Sequence, residues 1–355
     1  MKKYTGKAII IPLLAFLSLF SYTPFSFAEI LEYITPSKNS SPVDLVFDSK
    51  GILWFTEINT NKIGRLDPAE VQPGSTKGIR EFSLPLPDSE PQYIAVDRQD
   101  RIWFTERKGN RIGLLNPENG EIKEFAVPTL NSEPHHIAVD KDDIVWFAEF
   151  FGNKIGRLDP SSGEIKEFQV KTPNAGPHDL AIDKKGRIWF SMGGVFFAGR
   201  FESKIGRFDP STGEMVEYDI PPKNSVPHGI TFDDEGNLWF TQMFSNKIAK
   251  LIPQEEGEPK ILEYLLPTKR VRPHDLVLDK AGSVWFTELH GNSIGRLEIS
   301  KAQAGRSAGF QEFPISAKDS HPHGIAVDKD GGIWFTEMGG FFQGRFKDRI
   351  GKVVQ

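Results

Sequence analysis

The sequence predicts an all-β protein, a single seven-bladed β-propeller with four antiparallel strands in each blade. One phrase recurs seven times: Pro, an apolar segment that ends in Asp, a turn, and a Trp-Phe pair. These pairs use every Trp of the chain and begin at Trp54, Trp103, Trp146, Trp189, Trp239, Trp285 and Trp334. Consecutive Trp residues lie 49, 43, 43, 50, 46 and 49 positions apart. A period in this range is typical of repeat architectures.

The third copy of the phrase shows the four strands most clearly. It predicts strands at residues 137–140, 144–147, 153–158 and 164–168, with turn residues between them. Four short antiparallel strands that recur at this spacing form a propeller blade. We expect the Trp-Phe side chains to pack between blades and the Asp that ends each first strand to be a turn residue.

The two ends of the chain predict how the ring closes. The third-strand motif occurs seven times, and its last copy, Arg349-Ile350-Gly351, stands almost at the end of the sequence. The fourth-strand motif, Glu followed by an aromatic residue, has its first copy at Glu32-Tyr33, before the first blade. The N-terminal strand should therefore complete the last blade, because an open ring would leave a strand edge unpaired. The repeats predict one domain over residues 29–355.

Residues 1–28 have the pattern of a secretory signal peptide. Three Lys residues precede an apolar run at residues 8–20, and Ser26-Phe27-Ala28 supplies small residues for cleavage. The run contains Pro12 and is short for a membrane span, so a cleaved signal is favoured over an anchor. We therefore predict a secreted or periplasmic protein without stable membrane insertion after cleavage.

Composition excludes several classes of function. The chain has no Cys, so neither disulfides nor a lipid-modified cysteine can form. Its net charge is −5 and it lacks a long basic run, which argues against a nucleic-acid partner. No Ser-His-Asp order, phosphate-binding loop or paired-Cys metal motif is present. We expect a monomer that acts on a small molecule.

The residues that follow the repeated Pro should form a ring around the mouth of the central channel, since first strands line that channel. The members of this ring are Val43, Gln92, His135, His178, His228, His274 and His323. Because Val and Gln also occupy the position, the blade does not require imidazole there. That favours a functional role for the histidines, although duplication of a hydrogen-bonded His would give the same pattern.

Glu residues end five of the second strands, and we expect them close to the histidine ring. They are Glu57, Glu106, Glu149, Glu288 and Glu337; Gln242 holds this position in blade 5, and blade 4 has Ser191-Met192 instead. Converging His and Glu can bind a metal or supply a base that titrates near neutral pH. Glu oxygens suit Mg²⁺ or Ca²⁺ and imidazoles favour Zn²⁺, so composition does not choose the metal.

Two groups of these residues bring together several His and Glu side chains and are the best candidates for a metal or acid–base site. Blades 6 and 7 contribute His274, Glu288, His290, His321, His323 and Glu337. Blade 3 contributes Glu133, His135 and Glu149, beside His178 of blade 4.

Blades 4 and 7 carry similar insertions between the second and third strands. The Trp is 16 residues from the third-strand Ile in these blades and 9 residues from it in the others. Phe196 and Phe197 lie in the first insertion, and Phe341 and Phe342 in the second. Loops on a rigid scaffold often carry binding residues, so these four are candidate substrate contacts. The alternative is a hairpin extension that packs on its own blade.

The Pro-His-Gly-Ile, Trp-Phe-Thr-Glu and Asn-Lys-Ile-Gly-Arg phrases, repeated seven-fold, resemble the virginiamycin B lyase (streptogramin lyase) family. The resemblance covers nearly all of the chain after residue 28. It implies a seven-bladed propeller and an Mg²⁺-dependent elimination that opens the lactone ring of streptogramin B antibiotics without water.

The resemblance also implies roles for individual residues. His323 matches the general base, His274 a substrate-contacting His, and Glu337 a metal-binding Glu. The family's other metal-binding Glu precedes the last Pro, and here that position holds His321. His228 of the ring is a further candidate for substrate binding.

The function predicted from these features is a metal-dependent lyase that opens an ester or lactone at the channel mouth. Three alternatives stay open: a non-catalytic propeller that binds a ligand or protein, a propeller lactone hydrolase, and a redox role for a metal held by the histidine ring. Fold alone does not separate them.

Overall fold

The computed structural model describes residues 29–354 except 196–198, 200, 255–256 and 341–343. The predicted signal peptide and Phe196, Phe197, Phe341 and Phe342 therefore lie outside the described residues. The chain forms seven four-stranded antiparallel sheets, which confirms the predicted all-β fold and its blade count. Within these residues no helix is long and apolar enough to cross a membrane.

Each blade runs from an innermost first strand to an outermost fourth strand. The first strands are β2 Pro42–Phe47, β6 Pro91–Val96, β10 Pro134–Val139, β14 Pro177–Ile182, β18 Pro227–Phe232, β22 Pro273–Leu278 and β26 Pro322–Val327. The second strands are β3 Leu53–Glu57, β7 Ile102–Glu106, β11 Val145–Glu149, β15 Ile188–Met192, β19 Leu238–Gln242, β23 Ser283–Glu288 and β27 Ile333–Gly340.

The outer two strands complete the blades. The third strands are β4 Lys62–Leu66, β8 Arg111–Leu115, β12 Lys154–Leu158, β16 Lys204–Asp209, β20 Lys247–Ile252, β24 Ser293–Glu298 and β28 Arg345–Val354. The fourth strands are β5 Ile79–Ser83, β9 Ile122–Ala126, β13 Ile165–Gln169, β17 Glu214–Asp219, β21 Lys260–Leu265, β25 Phe310–Pro314 and, for blade 7, β1 Glu29–Ile34. A turn of 3-10 helix follows β24 at Ile299–Lys301.

The ring closes as the chain ends predict. β1 pairs antiparallel with β28 along its whole length, from Glu29 opposite Val354 to Ile34 opposite Arg349. Strand boundaries differ more from expectation at the first strands. In blade 3 the first strand begins at Pro134, where hydrophobic alternation had indicated residue 137. The extra residues belong to a bulge that alternation cannot reveal.

The Trp-Phe pairs and the Asp residues are tied together in every blade. Each Trp indole N–H donates to the Asp that ends the first strand of its own blade, over 2.7–3.0 Å. That Asp also accepts backbone N–H groups of the following turn, as Asp48 does from Lys50 and Ile52. The buried indole thereby keeps its hydrogen bond, as large buried Trp side chains require. The Asp therefore stabilises the turn, as predicted, and it also accepts the hydrogen bond of a Trp in the core.

A bulge at the start of each first strand links neighbouring blades. The register shifts between the Pro and the third residue after it in all seven blades. In blade 7 the hydroxyl of Thr336 accepts the N–H of Gly324 over 2.9 Å and donates to the carbonyl of Val43 in blade 1 over 2.8 Å. Thr287 makes the same donation to the carbonyl of His323. The bulge therefore holds the channel-lining residues in a fixed register across blades.

The Glu residues that end the second strands do not lie at the channel mouth, contrary to the sequence expectation. Their side chains are fully buried. In strands, successive side chains point to opposite faces. Here the Glu side chain points into the interior of the blade, and the residue after it lines the cavity at the mouth. Burial raises the pKa of Glu57 and Glu149 to about 8 and that of Glu337 to about 7. Gln242 holds the same place in blade 5, so a neutral side chain suffices there.

We expect Glu57→Gln to stabilise the protein at alkaline pH. An unfolded Glu titrates near 4.3, whereas burial places the pKa of Glu57 at about 8 in the fold. The stabilisation from its protonated form is full below about pH 4.3, falls as the pH rises from there, and is gone above the folded pKa of about 8. Compared with wild type, the variant should therefore gain several kcal/mol in the free energy of unfolding between about pH 5 and about pH 9.

Chemical denaturation at both pH values measures this difference. Glu118→Gln is the matched control, because Glu118 is exposed and the substitution removes the same charge. Equal gains in the two variants, or a loss at alkaline pH in Glu57→Gln, would contradict the assignment of a protonated buried carboxyl.

Candidate active site at the channel mouth

A cavity of about 460 Å³ opens at one end of the central channel. Its walls come from three positions of the repeat: the residue before the Pro, the residue after the Pro, and the first or second residue after the second-strand Glu. The residue after the Pro lines the cavity in all seven blades, as predicted: Val43, Gln92, His135, His178, His228, His274 and His323.

The five histidines of this ring pack against one another in blade order. Ring centroids of neighbours are 4.9 Å apart for His135 and His178, 4.7 Å for His178 and His228, 3.9 Å for His228 and His274, and 4.0 Å for His274 and His323. All five are at most 8% exposed. The ring is therefore a continuous imidazole surface at the base of the cavity.

Backbone contacts set the tautomer of two of these histidines. His323 Nδ1 lies 3.1 Å from the carbonyl oxygen of Val43, and His135 Nδ1 lies 3.1 Å from that of His178. A carbonyl only accepts, so each Nδ1 carries the proton and each Nε2 is left with its lone pair. The Nε2 of His135 accepts from the amide of Gln92 over 3.3 Å.

Gly324 allows a close approach between β26 and β2. A Cβ at this position would lie 2.8 Å from the Val43 carbonyl oxygen and 2.9 Å from the Asp44 Cα. Any larger residue would push β26 away from β2. The Gly in the Pro-His-Gly phrase thus keeps the two strands in close contact.

Burial keeps these imidazoles neutral. It lowers the pKa of His178 to about 3 and that of His323 to about 4. For His228 and His274, burial and then the charges of neighbouring histidines depress the pKa well below its usual range. At neutral pH the ring therefore presents unprotonated nitrogens, which can accept protons but hold them weakly.

The rim of the cavity has an acidic side and a basic side. On blades 2 and 3, Arg107 donates to Glu133 over 3.0 Å and also to Glu90. On blades 6 and 7, Arg272 donates to His290 Nε2 over 3.3 Å, and the rings of His290 and His321 are 5.8 Å apart. Between these sides the wall is apolar, with Ile58, Phe150, Phe151, Met243, Phe244, Leu289 and Met338.

A second polar layer lies under the histidines. It forms because the bulge also turns the residue after each member of the ring toward the channel. Asp44, Asp179 and Asp275 each accept a backbone N–H of a following blade, over 3.0, 2.9 and 3.2 Å. His136 contacts Asp179 over 2.8 Å, and Tyr93 stacks between the layers at 4.5 Å from His135. These contacts explain the layer as a structural link between blades.

Comparisons with known proteins identify the family. The sequence profile of the virginiamycin B lyase family matches residues 27–195 and 191–343. The chain belongs to the virginiamycin B lyase family. A streptogramin B lyase structure is 30% identical, with a TM-score of 0.78, and the match covers 92% of this chain and 97% of that one.

Two structures of the Staphylococcus aureus virginiamycin B lyase are 29% identical, also at a TM-score of 0.78, over 92% of this chain and 99% of theirs. One of them is a catalytically inactive His-to-Ala variant with quinupristin. The comparison with curated protein sequences found no match.

The family's implied magnesium ligands do not form a fitting donor set among the described residues. Glu337 is fully buried, does not line the cavity, and accepts a hydrogen bond from Ser320 over 2.7 Å. Its second oxygen lacks a hydrogen-bond partner, but so do buried oxygens of Glu57, Glu106 and Glu149 in other blades. His321 offers an imidazole nitrogen, which is a poor ligand for a hard cation. In the described parts of the chain, no cluster of three or more His, Asp or Glu could hold a metal.

Described residues of the blade 7 insertion reach the cavity. In blade 7 the insertion lengthens β27 and β28, with Gly339 opposite Phe346 and Gly340 opposite Arg345. Met338, Gly339 and Gly340 line the cavity. This agrees with a hairpin extension for the described part, while Phe196, Phe197, Phe341 and Phe342, the predicted substrate contacts, lie outside the described residues.

Sequence reasoning missed several residues of the mouth. Arg272 occupies the same repeat position as Glu133 and His321, before the Pro, and Arg107 follows a second-strand Glu. At the position before the Pro, φ is 48° in Glu133, 54° in Arg272 and 46° in His321. Aligning all seven copies at these two positions would have identified both arginines as rim residues.

We predict that the His323 imidazole stays neutral down to a pH near 4, in the tautomer with the proton on Nδ1. Burial lowers its pKa to about 4 and the Val43 carbonyl accepts from Nδ1. Long-range ¹H–¹⁵N NMR of the imidazoles measures both properties, and the spectrum of His323→Gln assigns the signals. A titration near 6.5, or a proton on Nε2, would contradict this geometry.

Proposed function

We propose that the cavity is the active site of a lyase that opens an ester or lactone by elimination, with His323 as the base. The observation that carries the proposal is the contact of His323 Nδ1 with the Val43 carbonyl, which leaves Nε2 as the proton acceptor within the cavity. Family membership supports the reaction type, and the inactive His-to-Ala variant of a relative supports a histidine in its mechanism.

Opening a lactone without water requires cleavage of the alkyl carbon–oxygen bond. His323 Nε2 takes the proton from the carbon next to a carbonyl. The electron pair of that C–H bond forms a carbon–carbon double bond with the neighbouring carbon. The bond from that carbon to the ester oxygen breaks, and its electron pair leaves with the oxygen as a carboxylate. The product has the mass of the substrate.

The other residues of the cavity orient the substrate. The ring centre of His274 lies 4.0 Å from that of His323 and 3.9 Å from that of His228, so we expect a substrate over His323 to contact His274 and His228 as well. The apolar wall from Phe150 to Met338 would exclude water from the reacting atoms, which favours elimination over hydrolysis.

Metal dependence and export are further proposals from the sequence. A divalent cation such as Mg²⁺ would stabilise the negative charge that develops on the carbonyl oxygen. Since the described donors do not fit it, the steps above use residues of the chain alone. Removal of residues 1–28 during export would leave the propeller in a secreted or periplasmic location.

The decisive assay is turnover of quinupristin, a streptogramin B lactone, followed by mass spectrometry. We expect a ring-opened product of unchanged mass, and a loss of at least about a hundredfold in rate in His323→Ala, the lower end of the usual contribution of a general base. Assays with Mg²⁺ and with a chelator test metal dependence separately. His136→Gln is the control, because His136 lies in the layer below the cavity ring.

The alternatives predict other outcomes. A product heavier by one water would make the enzyme a lactone hydrolase. Binding of quinupristin without turnover, equal in wild type and His323→Ala, would support a non-catalytic propeller. Turnover that survives in His323→Ala would refute the assigned base.

The pH dependence of the rate provides an independent test. The base must be unprotonated, and burial lowers the pKa of His323 to about 4. The rate should therefore be flat at neutral pH and fall only as the pH drops through about 4. Recovery of activity after return to neutral pH separates this titration from unfolding. A fall between pH 6 and 7, the range of an exposed His, would contradict a buried base.

A further inference from the structure

Arg272 is a cation that faces the cavity without an ion-pair partner among the described residues. It precedes the first Pro of β22 and lines the cavity wall. Its guanidinium donates to His290 Nε2 over 3.3 Å and lies 5.0 Å from the centre of the Phe244 ring. Arginine has five N–H donors, so several remain available to a ligand.

Arg107, on the other side of the mouth, provides the contrast. It also lines the cavity, but Glu90 and Glu133 both pair with it. Its charge is neutralised within the rim, whereas that of Arg272 is not. The two arginines thus occupy one cavity in opposite electrostatic surroundings.

Two imidazoles lie on the same wall of the cavity as Arg272. His290 and His321 both line the same wall, with ring centroids 5.8 Å apart. Burial, Arg272 and His321 together lower the pKa of His290, since a second positive charge is unfavourable there. An anion bound to Arg272 would relieve this repulsion.

An apolar surface adjoins the basic group. Phe244, Met243 and Leu289 line the cavity beside Arg272, and Phe244 is 38% exposed. A guanidinium that stacks on an aromatic ring and offers its N–H edge to the cavity is a common arrangement for bidentate recognition of a carboxylate. The neighbouring surface suits an aromatic or other apolar body attached to that carboxylate.

We propose that Arg272, beside His290, forms a carboxylate-binding site at the channel mouth for ligands with an aromatic or apolar body. This rests on the proposed function, because the carboxylate would be the leaving group of the elimination and would remain on the product. Arg272 would take up the charge of the departing oxygen as the bond breaks. Arg272 would thus stabilise the charge of the leaving group in a protein in which His321 replaces the family's metal-binding Glu.

The site can be tested by binding alone, without turnover. The probe is 3-phenylpropionate, and its uncharged isostere is 3-phenylpropionamide; both are titrated into the intact protein and followed by NMR. Wild type should bind the carboxylate roughly tenfold or more tightly than the amide, as for a charge-assisted hydrogen bond. Arg272→Gln should abolish this preference, and Arg272→Lys should keep part of it.

Arg107→Gln is the matched control, since it removes the same charge from the same cavity and should preserve the preference. Equal binding of acid and amide to wild type would overturn the proposal, as would loss of the preference in Arg107→Gln but not in Arg272→Gln. The outcome is separable from the lyase assay: turnover of quinupristin without a carboxylate preference refutes this site alone, and the preference without turnover refutes the lyase alone.

Discussion

The bulge at the start of each innermost strand is the constraint on which the mouth depends. It lets two consecutive residues face the channel, so each blade contributes to an upper and a lower layer. The hydroxyl of the second-strand Thr holds the bulge and reaches the next blade, as Thr336 does with Gly324 and Val43. Because one residue fixes both contacts, the relative position of neighbouring blades and that of the mouth residues are set together.

Close packing of the upper layer determines its chemistry. Five imidazoles whose neighbouring ring centres are 3.9–4.9 Å apart, and which are nearly inaccessible to water, cannot all carry charge, so they are neutral at neutral pH. In the proposed mechanism His323 acts as a base because of its position and tautomer, and its pKa of about 4 makes it a weak one. A weak base can act only on an acidic C–H bond and with a stabilised leaving group. The proposed carboxylate contact of Arg272 at the rim would supply that stabilisation.

The repeat gives every blade the same rim positions, and substitutions at them have made the mouth asymmetric. Blade 3 retains Glu133, His135 and Glu149, yet Arg107 engages Glu133 and Glu149 is buried. Blades 6 and 7 hold Arg272 and His321 where blades 2 and 3 hold Glu90 and Glu133. The same repeat position thus carries opposite charges on the two sides of the mouth.

The sequence alone determined the seven blades, the closure by β1 and the ring of histidines, because each follows from a local pattern repeated at a fixed period. It could not place Glu57 or Glu337, which were expected at the mouth and are buried behind it. Alternation along the second strand turns the Glu side chain into the blade and places the next residue at the mouth. Only the tertiary structure decided the tautomer of His323 and the different surroundings of Arg107 and Arg272, because these depend on atoms of a neighbouring blade, distant in the chain.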